Sequence, residues 1–472
     1  MRNRFFFSYM TSQSCHGTTL SRRSSEESVP NLDLFSFVNK VAERLFKQLK
    51  IGLMSNGYRY TDTDFWKVLV WREMMQLSTY DAADDLNDEL IEHESRGRGR
   101  KRAEQPLLGG TSERRERTVP HGSQVDLFLR RMSPGLKNRL QEVIIKATID
   151  VALGLSVITR EIVVYFDFTK DNFYGKDVFP FNPCITNVHD GKGTSKARKY
   201  AAVMIASGST WLFAGYVLTK PGLGRELHVG TMLQRLVNWG FTIKDTFGDR
   251  EVSTFDVIAT LQKKNLSYTG TMKRTPSIRK LVDQFLRGTC SSVIQHVLQP
   301  HAGCRVPHGA IQVHLIFKVD PRKRARDLQR KVASGKLSLI KAREHVHVFI
   351  TTRAPPARKD KLVRWGMRLV QEFRKRWRIE TGFRDHDIFT PASHARNNAT
   401  KNFLHALDAA AYNMWKIQCA LVTKAKRAGK TRKRAPTLRR YSRNAAKAFV
   451  RRKNSASPVV DVVISSVIAS IR

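Results

Sequence analysis

The stretch "EIVVYFDFT", Glu161 to Thr169, is a run of β-branched and aromatic residues of strand length with one acid inside it. Period-two alternation puts Val163, Tyr165, Asp167 and Thr169 on one face and Val164, Phe166 and Phe168 on the other. The strand otherwise reads as core. A carboxylate in such a place has to be paired, protonated or metal-bound, because burying a bare charge is costly. A salt-bridged strand aspartate is the plain alternative for Asp167.

Working outward from this strand, "KYAAVMIASG" and "TWLFAGYVLT" read as two further strands, with Gly208 in the turn between them. "GRELHVGTMLQRLVNWG" is an amphipathic helix ending at Gly240. "FTIKDTFGD" is a strand, "REVSTFDVIATLQKK" a helix and "LSYTGTM" a strand. Three antiparallel strands followed by parallel βαβ units predict an α/β chain with an RNase H-like mixed sheet. The regular order then breaks over about 273–345, which reads as a β-containing insertion: a helix at 277–287, a strand at 309–318 and a basic helical stretch at 321–344. A strand at 345–353, a long helix at 358–384 and a last helical segment at 397–426 follow.

The remaining regions divide by composition. Residues 1–30, rich in Ser and Arg, read as a disordered lead; an over-extended start would also explain them. Residues 31–92 are an all-α region with an amphipathic helix at 32–57 and a helix–turn–helix-like pair at 61–92. The second helix of that pair is acidic (Asp81, Asp84, Asp85, Asp88, Glu89), so a small packing subdomain stands beside a DNA-binding module as its reading. Residues 93–122 form a basic linker and 123–160 a helical connector. The domain built on the mixed sheet spans 161–423, and 424–472 is a basic C-terminal tail, in which 424–453 carry 14 Lys or Arg and no acid.

The chain has 472 residues, of which 41% are apolar, enough for a large core. Charge is the outlying property: 83 Lys and Arg against 41 Asp and Glu give a net +42. Such an excess favours a polyanion through phosphate neutralisation and counterion release. No apolar run is long enough for a transmembrane helix, so no membrane partner is expected. Five scattered cysteines (Cys15, Cys184, Cys290, Cys304, Cys419) speak for a reducing compartment and against a disulfide framework.

Two more acids join Asp167 as candidates. Asp249 closes the strand "FTIKDTFGD", where its bland role is a helix N-cap. Asp245, inside that strand, and Asp256, one turn into the next helix, compete with it. Glu380, in "RKRWRIETGFR" (Arg374 to Arg384), shares a helical face with Phe373, Arg376, Trp377, Phe383 and Arg384. An Arg376–Glu380 pair is its bland reading, yet Trp377 and Phe383 on the same face are expected to look inward. Three acids from two strands and a helix can hold two divalent ions about 3.5–4 Å apart, which is the arrangement for in-line phosphoryl transfer. Oxygen ligands of this kind suit Mg²⁺, with Mn²⁺ possible.

Three blocks give the chain a resemblance to the DDE transposases of bacterial and archaeal insertion sequences, of the IS-four type. "YFDFTKDNFYGK" is similar to the strand of that family's first Asp, "FGDREVSTFDVIATL" to its second block, and "FRKRWRIETGFRDHD" to its Tyr-Arg-Glu-Lys signature. Arg376 and Glu380 keep the signature's spacing, while Phe373 stands at the tyrosine position and Asp387 at the lysine position. The resemblance covers roughly 160–420. It implies cut-and-paste transposition: a homodimer on DNA, binding terminal inverted repeats and target DNA, with Asp167, Asp249 and Glu380 as catalytic ligands of two Mg²⁺. It further implies DNA contacts from Arg376, Arg384, Lys375, Arg250 and Trp377, and a cytoplasmic, nucleoid-associated protein. Where a hairpin forms at the element end, a flipped base needs an aromatic platform; Trp365 and Trp377 are candidates, with core packing the favoured role for each. The alternatives are an RNase H-like nuclease without strand transfer and a catalytically inactive DNA-binding descendant of a transposase. Cys290, His296, His301, Cys304 and His308 match no standard zinc spacing, and "HDGKGTSK" lacks P-loop spacing.

Overall fold

The computed structural model describes residues 60–97, 117, 119–173, 185–187, 194–220, 222–377, 381, 397–429, 434–437 and 439–444. The lead, the helix expected at 32–57, most of the basic linker and the end of the tail lie outside these residues.

The strand that opened the sequence is β1 (Glu161–Asn172), and it lies inside a nine-stranded sheet. On one side it pairs antiparallel with β3 (Lys196–Ser207), whose far edge carries β4 (Thr210–Leu218) and, near its start, the short β2 (Ile185–Asn187). On the other side it pairs parallel with β5 (Thr242–Gly248), which pairs parallel with β6 (Tyr268–Thr271). The order β4-β3-β1-β5-β6, with three antiparallel strands and two parallel neighbours, is the RNase H-like sheet. Its central strands are covered on both faces and read as apolar runs: in β3 the residues Tyr200 to Ala206 are all buried.

The chain after β6 adds strands to the same sheet. α7 (Pro276–Leu286) leads to β7 (Val293–Leu298), β8 (Ile311–Val319), α8 (Ala325–Ala333), α9 (Leu339–Glu344) and β9 (Val346–Thr351). β9 docks antiparallel on β6, β8 on β9 and β7 on β8. β7 stands in a stretch that the sequence presented as loop-rich. Its polar Gln295 and His296 interrupt the apolar signal, but pairing with β8 satisfies its backbone all the same.

Helices cover the sheet. α5 (Arg225–Asn238) packs on β3 and β4 and on α6 (Phe255–Lys263). α4 (Pro134–Gly154), capped by the Ser133 hydroxyl with Pro134 in its first turn, packs on α11 (Asn398–Arg427), and both lie on β4. Asn413 of α11 joins the layers: its amide oxygen accepts from Phe213 N (2.8 Å) and its amide nitrogen donates to Phe213 O (2.8 Å) and Thr148 Oγ1 (2.9 Å).

The expected helix pair is α1 (Asp62–Met75) and α2 (Thr79–Gly97). α1 is a core helix: Phe65 stacks on Phe128 of α3 (Gly122–Arg131) at 4.7 Å, and Trp66 meets Phe403 of α11 edge-on at 5.5 Å. Arg72 and Glu73 form a buried ion pair there. Burial, opposed by Arg72 and reinforced by Asp408, pushes the Glu73 carboxyl well above the usual carboxylate range. The exposed face of α2 carries Asp81, Asp84 and Asp88, so the pair packs against the body and presents acids outward.

The long helix expected at 358–384 is divided. A 3₁₀ turn (Lys359–Lys361) precedes α10 (Leu362–Arg374). After Arg374 the amides of Lys375 and Arg376 donate three residues back, to Glu372 O (3.1 Å) and Phe373 O (2.8 Å), and helix resumes at Trp377. α10 lies across β6, β7 and β8, brought close by Gly366, where a Cβ would stand 2.7 Å from Val293 Cγ2.

Candidate active site at the strand ends

The last rung of the β1–β5 ladder joins Phe166 to Gly248. The residue that follows this rung on each side is an aspartate, Asp167 and Asp249, so the two acids come at the same level of neighbouring parallel strands, whose spacing is about 4.8 Å. Asp167 is 13% exposed in its side chain. Its Oδ1 accepts from the amide of Phe168 (2.8 Å), and its Oδ2 is 3.5 Å from Arg376 Nη1.

Asp249 Oδ1 accepts from the amides of Glu251 (2.9 Å) and Val252 (3.1 Å), closing a turn. It is not the cap of α6, because Thr254 takes that place with its hydroxyl on Val257 N. Oδ2 of Asp249 takes no hydrogen bond from a described residue. Burial pushes the Asp249 carboxyl above its ordinary value; the two amides and the Arg376 guanidinium pull the other way, and Glu251 adds to the rise. The floor beneath is tight: a Cβ at Gly270 would stand 2.3 Å from Tyr268 Oη, and that hydroxyl also bonds Ser253 Oγ (2.8 Å).

The two competing acids are held elsewhere. Asp245 Oδ2 pairs with Arg353 (2.5 Å), which also binds Glu372 of α10 (2.8 Å), and Asp245 Oδ1 accepts from Ser267 Oγ (2.5 Å). Asp256 Oδ1 accepts from the amides of Arg305 (2.9 Å) and Val306 (3.0 Å), fastening the loop between β7 and β8.

Arg376 comes from the turn after α10 and is 12% exposed. Its guanidinium lies 5.3 Å from the centre of the Phe373 ring, which is itself buried edge-on against Phe349 at 5.2 Å. Phe373, at the signature's tyrosine position, is therefore a core residue that seats Arg376. Lys375 and Arg250 are exposed. Trp377 does not look inward: it is 73% exposed, because the break at Lys375 and Arg376 turns it away from the stripe that α10 buries. Trp365 is partly buried against the core, edge-on to His314 at 5.5 Å. Glu380, Phe383, Arg384 and Asp387 lie outside the described residues.

The pair Asp167 and Asp249 fits a hard divalent cation: both offer carboxylate oxygens at the same level of neighbouring strands, and the desolvated Asp249 carboxyl calls for a counter-charge. Among the described residues no group of three His, Cys, Asp or Glu comes together to hold a metal, the cysteines and histidines of the insertion included. No described helix is long and apolar enough to cross a membrane.

No protein-family model matches the sequence, and no curated protein matches it. Among solved structures, a piggyBac transposase synaptic complex with hairpin DNA is similar at a TM-score of 0.47 and 10% identity, over 92% of this chain and 84% of that one.

Proposed function

We propose that the chain is a DDE transposase, which binds the terminal inverted repeats of a mobile element as a dimer, cuts DNA and joins the freed end to a target. The observation that carries this reading is the juxtaposition of Asp167 and Asp249 one residue beyond the last β1–β5 rung, with Arg376 laid against Asp167. Glu380, four residues after Arg376, is the third ligand that the resemblance implies. Bound to these acids, two Mg²⁺ ions would activate the attacking oxygen and stabilise the leaving one. Asp167 supplies one face of the site from a strand fixed on both sides, and Asp249 the other from a turn held by two amides. Arg376 is a positioning residue: it offsets the negative charge of both aspartates and sits where a phosphate oxygen would enter. The protein would act in the cytoplasm, at the nucleoid.

The test is Mg²⁺-dependent cleavage of a duplex carrying the sequences that flank the gene, followed by strand transfer from a pre-cut 3′-hydroxyl end. Cutting and joining, both lost in Asp167→Asn, are expected. Cutting without joining would reassign the protein as a nuclease. A second reading, a DNA-binding protein without catalysis, is favoured by Phe373, which has no hydroxyl to offer a phosphate; binding without cleavage by the unsubstituted protein would establish it.

A further inference from the structure

At the C-terminal end of β6 lies a cavity of about 510 Å³ lined by Arg250, Thr271, Met272, Lys273, Arg274, Arg279, His347 and Val348. Four of these side chains are permanent cations, and no carboxylate lines the cavity among the described residues. Holding like charges together is unfavourable, and more so where water is partly excluded. The cost registers in the cavity itself: burial and then the charges of Arg250 and Arg279 lower the Arg274 pKa, with Glu344 opposing, and burial followed by Arg274 lowers that of His347. The cations are built in. Arg274 donates to Val346 O (2.6 Å), which pins it to the start of β9, and Arg279 Nε donates to Arg274 O (3.1 Å).

The position is specific. Arg250 directly follows Asp249, and Thr271 directly follows Gly270, which is paired with Gly248. The cavity therefore opens one strand over from Asp249, at the same edge of the sheet. Arg374, two residues before Arg376, also acts on His347, so the end of α10 borders both places. Successive phosphates on one strand of a duplex lie about 3.4 Å apart along the axis, so a strand whose bond is at the aspartates brings its neighbouring phosphates within reach of these cations.

We propose that Arg250, Lys273, Arg274 and Arg279 form a phosphodiester subsite that seats the backbone of a DNA strand beside Asp167 and Asp249. The proposal rests on the reading of the chain as a DNA-acting protein. Four cations around one cavity exceed what a single free phosphate neutralises, and the +42 charge of the chain points to a polyanion.

The test is fluorescence anisotropy of the full chain on a short labelled duplex across a salt series. Each lost phosphate contact lowers the slope of log K against log salt by about 0.9. Lys273→Ala with Arg279→Ala, both exposed side chains, should flatten the slope by roughly 1–2 and weaken binding most at low salt. Lys263→Ala with Lys264→Ala is the matched control, removing equal charge from the end of α6 just before β6 begins, and should leave the slope unchanged. Arg274→Ala should flatten it further, with circular dichroism to check that β9 stays docked; the Lys273/Arg279 pair decides the matter if it does not. Equal flattening by both lysine-bearing pairs would mean a diffuse field and would overturn the subsite. Inorganic phosphate that displaces the duplex at stoichiometric concentration would overturn the preference for a strand. Unsubstituted protein that binds no duplex at any salt would overturn the DNA-acting reading and the subsite with it; salt-dependent binding that the Lys273/Arg279 pair leaves unaltered would remove the subsite alone.

Discussion

At the scale of single residues, Asp167 and Asp249 are unequal partners. Asp167 has the Arg376 guanidinium beside it, whereas burial raises the Asp249 carboxyl from the ordinary 3.8. Asp249→Asn and Asp167→Asn should each cut Mg²⁺-dependent cleavage by more than the roughly 10–100-fold that loss of a partner behind a metal ligand costs. The stability consequence has the opposite sign. A group with a raised folded pKa stabilises below its unfolded value and loses that contribution as pH rises through the folded one. Asp249→Asn should therefore raise the melting temperature at neutral pH while abolishing cleavage, as thermal scans would show. Arg376 lowers the Asp249 pKa, so Arg376→Ala should move the acid limb of the cleavage pH profile to higher pH; an unmoved limb would separate Arg376 from Asp249. Asp167 was legible in the sequence, because an acid in an alternating apolar strand has few explanations. Its pairing with Arg376 was not, because that contact spans the whole fold and depends on a helix break that spacing alone does not reveal. The same break put Trp377 in water where the helical stripe had placed it inward.

At the scale of elements, α10 is the part that brings Arg376 to the aspartates, and its seat is specific. Gly366→Ala would push a methyl onto Val293 of β7. Overpacking of this kind costs about 1–3 kcal/mol, and the shift should appear as a lower denaturation midpoint together with weaker cleavage, since the helix carries Phe373 and the turn beyond it. β1, β3 and β4 were readable because each is largely an apolar run, and β5 and β6 because each is a short strand-type segment set between helices. β7 was not, because Gln295 and His296 interrupt its apolar pattern and its backbone is satisfied by β8. The end of α10 escaped too: Lys375, Arg376 and Trp377 all tolerate helix, and tertiary packing, not propensity, stops it.

At the scale of the whole molecule, the core is one body in which helices far apart in sequence hold the sheet. Asn413 shows how: one amide on α11 satisfies both backbone groups of Phe213 on β4 and touches Thr148 on α4. Asn413→Leu strands two buried backbone groups at about 1–3 kcal/mol each, so a loss of roughly 2–6 kcal/mol in denaturant titration is expected, with no change in the residues of the site. Composition foretold the size of this core. It carried no sign that the strands of the insertion would extend the same sheet, since which strand borders which is settled by contacts across the chain.

The sheet is not equally strong along its width. β1 and β3 share ten residue pairs and β8 and β9 six, but β6 is a narrow joint, with only three pairs to β5 and three to β9, Thr269–Thr351, Gly270–Ile350 and Thr271–Phe349. Opening free energies follow cooperative units, so amide exchange should divide at this joint, with β7, β8 and β9 losing protection together before β1, β3 and β5. The insertion is then a separately melting leaf of the sheet, fastened mainly by α10, and the helix that delivers Arg376 is also what keeps that leaf shut.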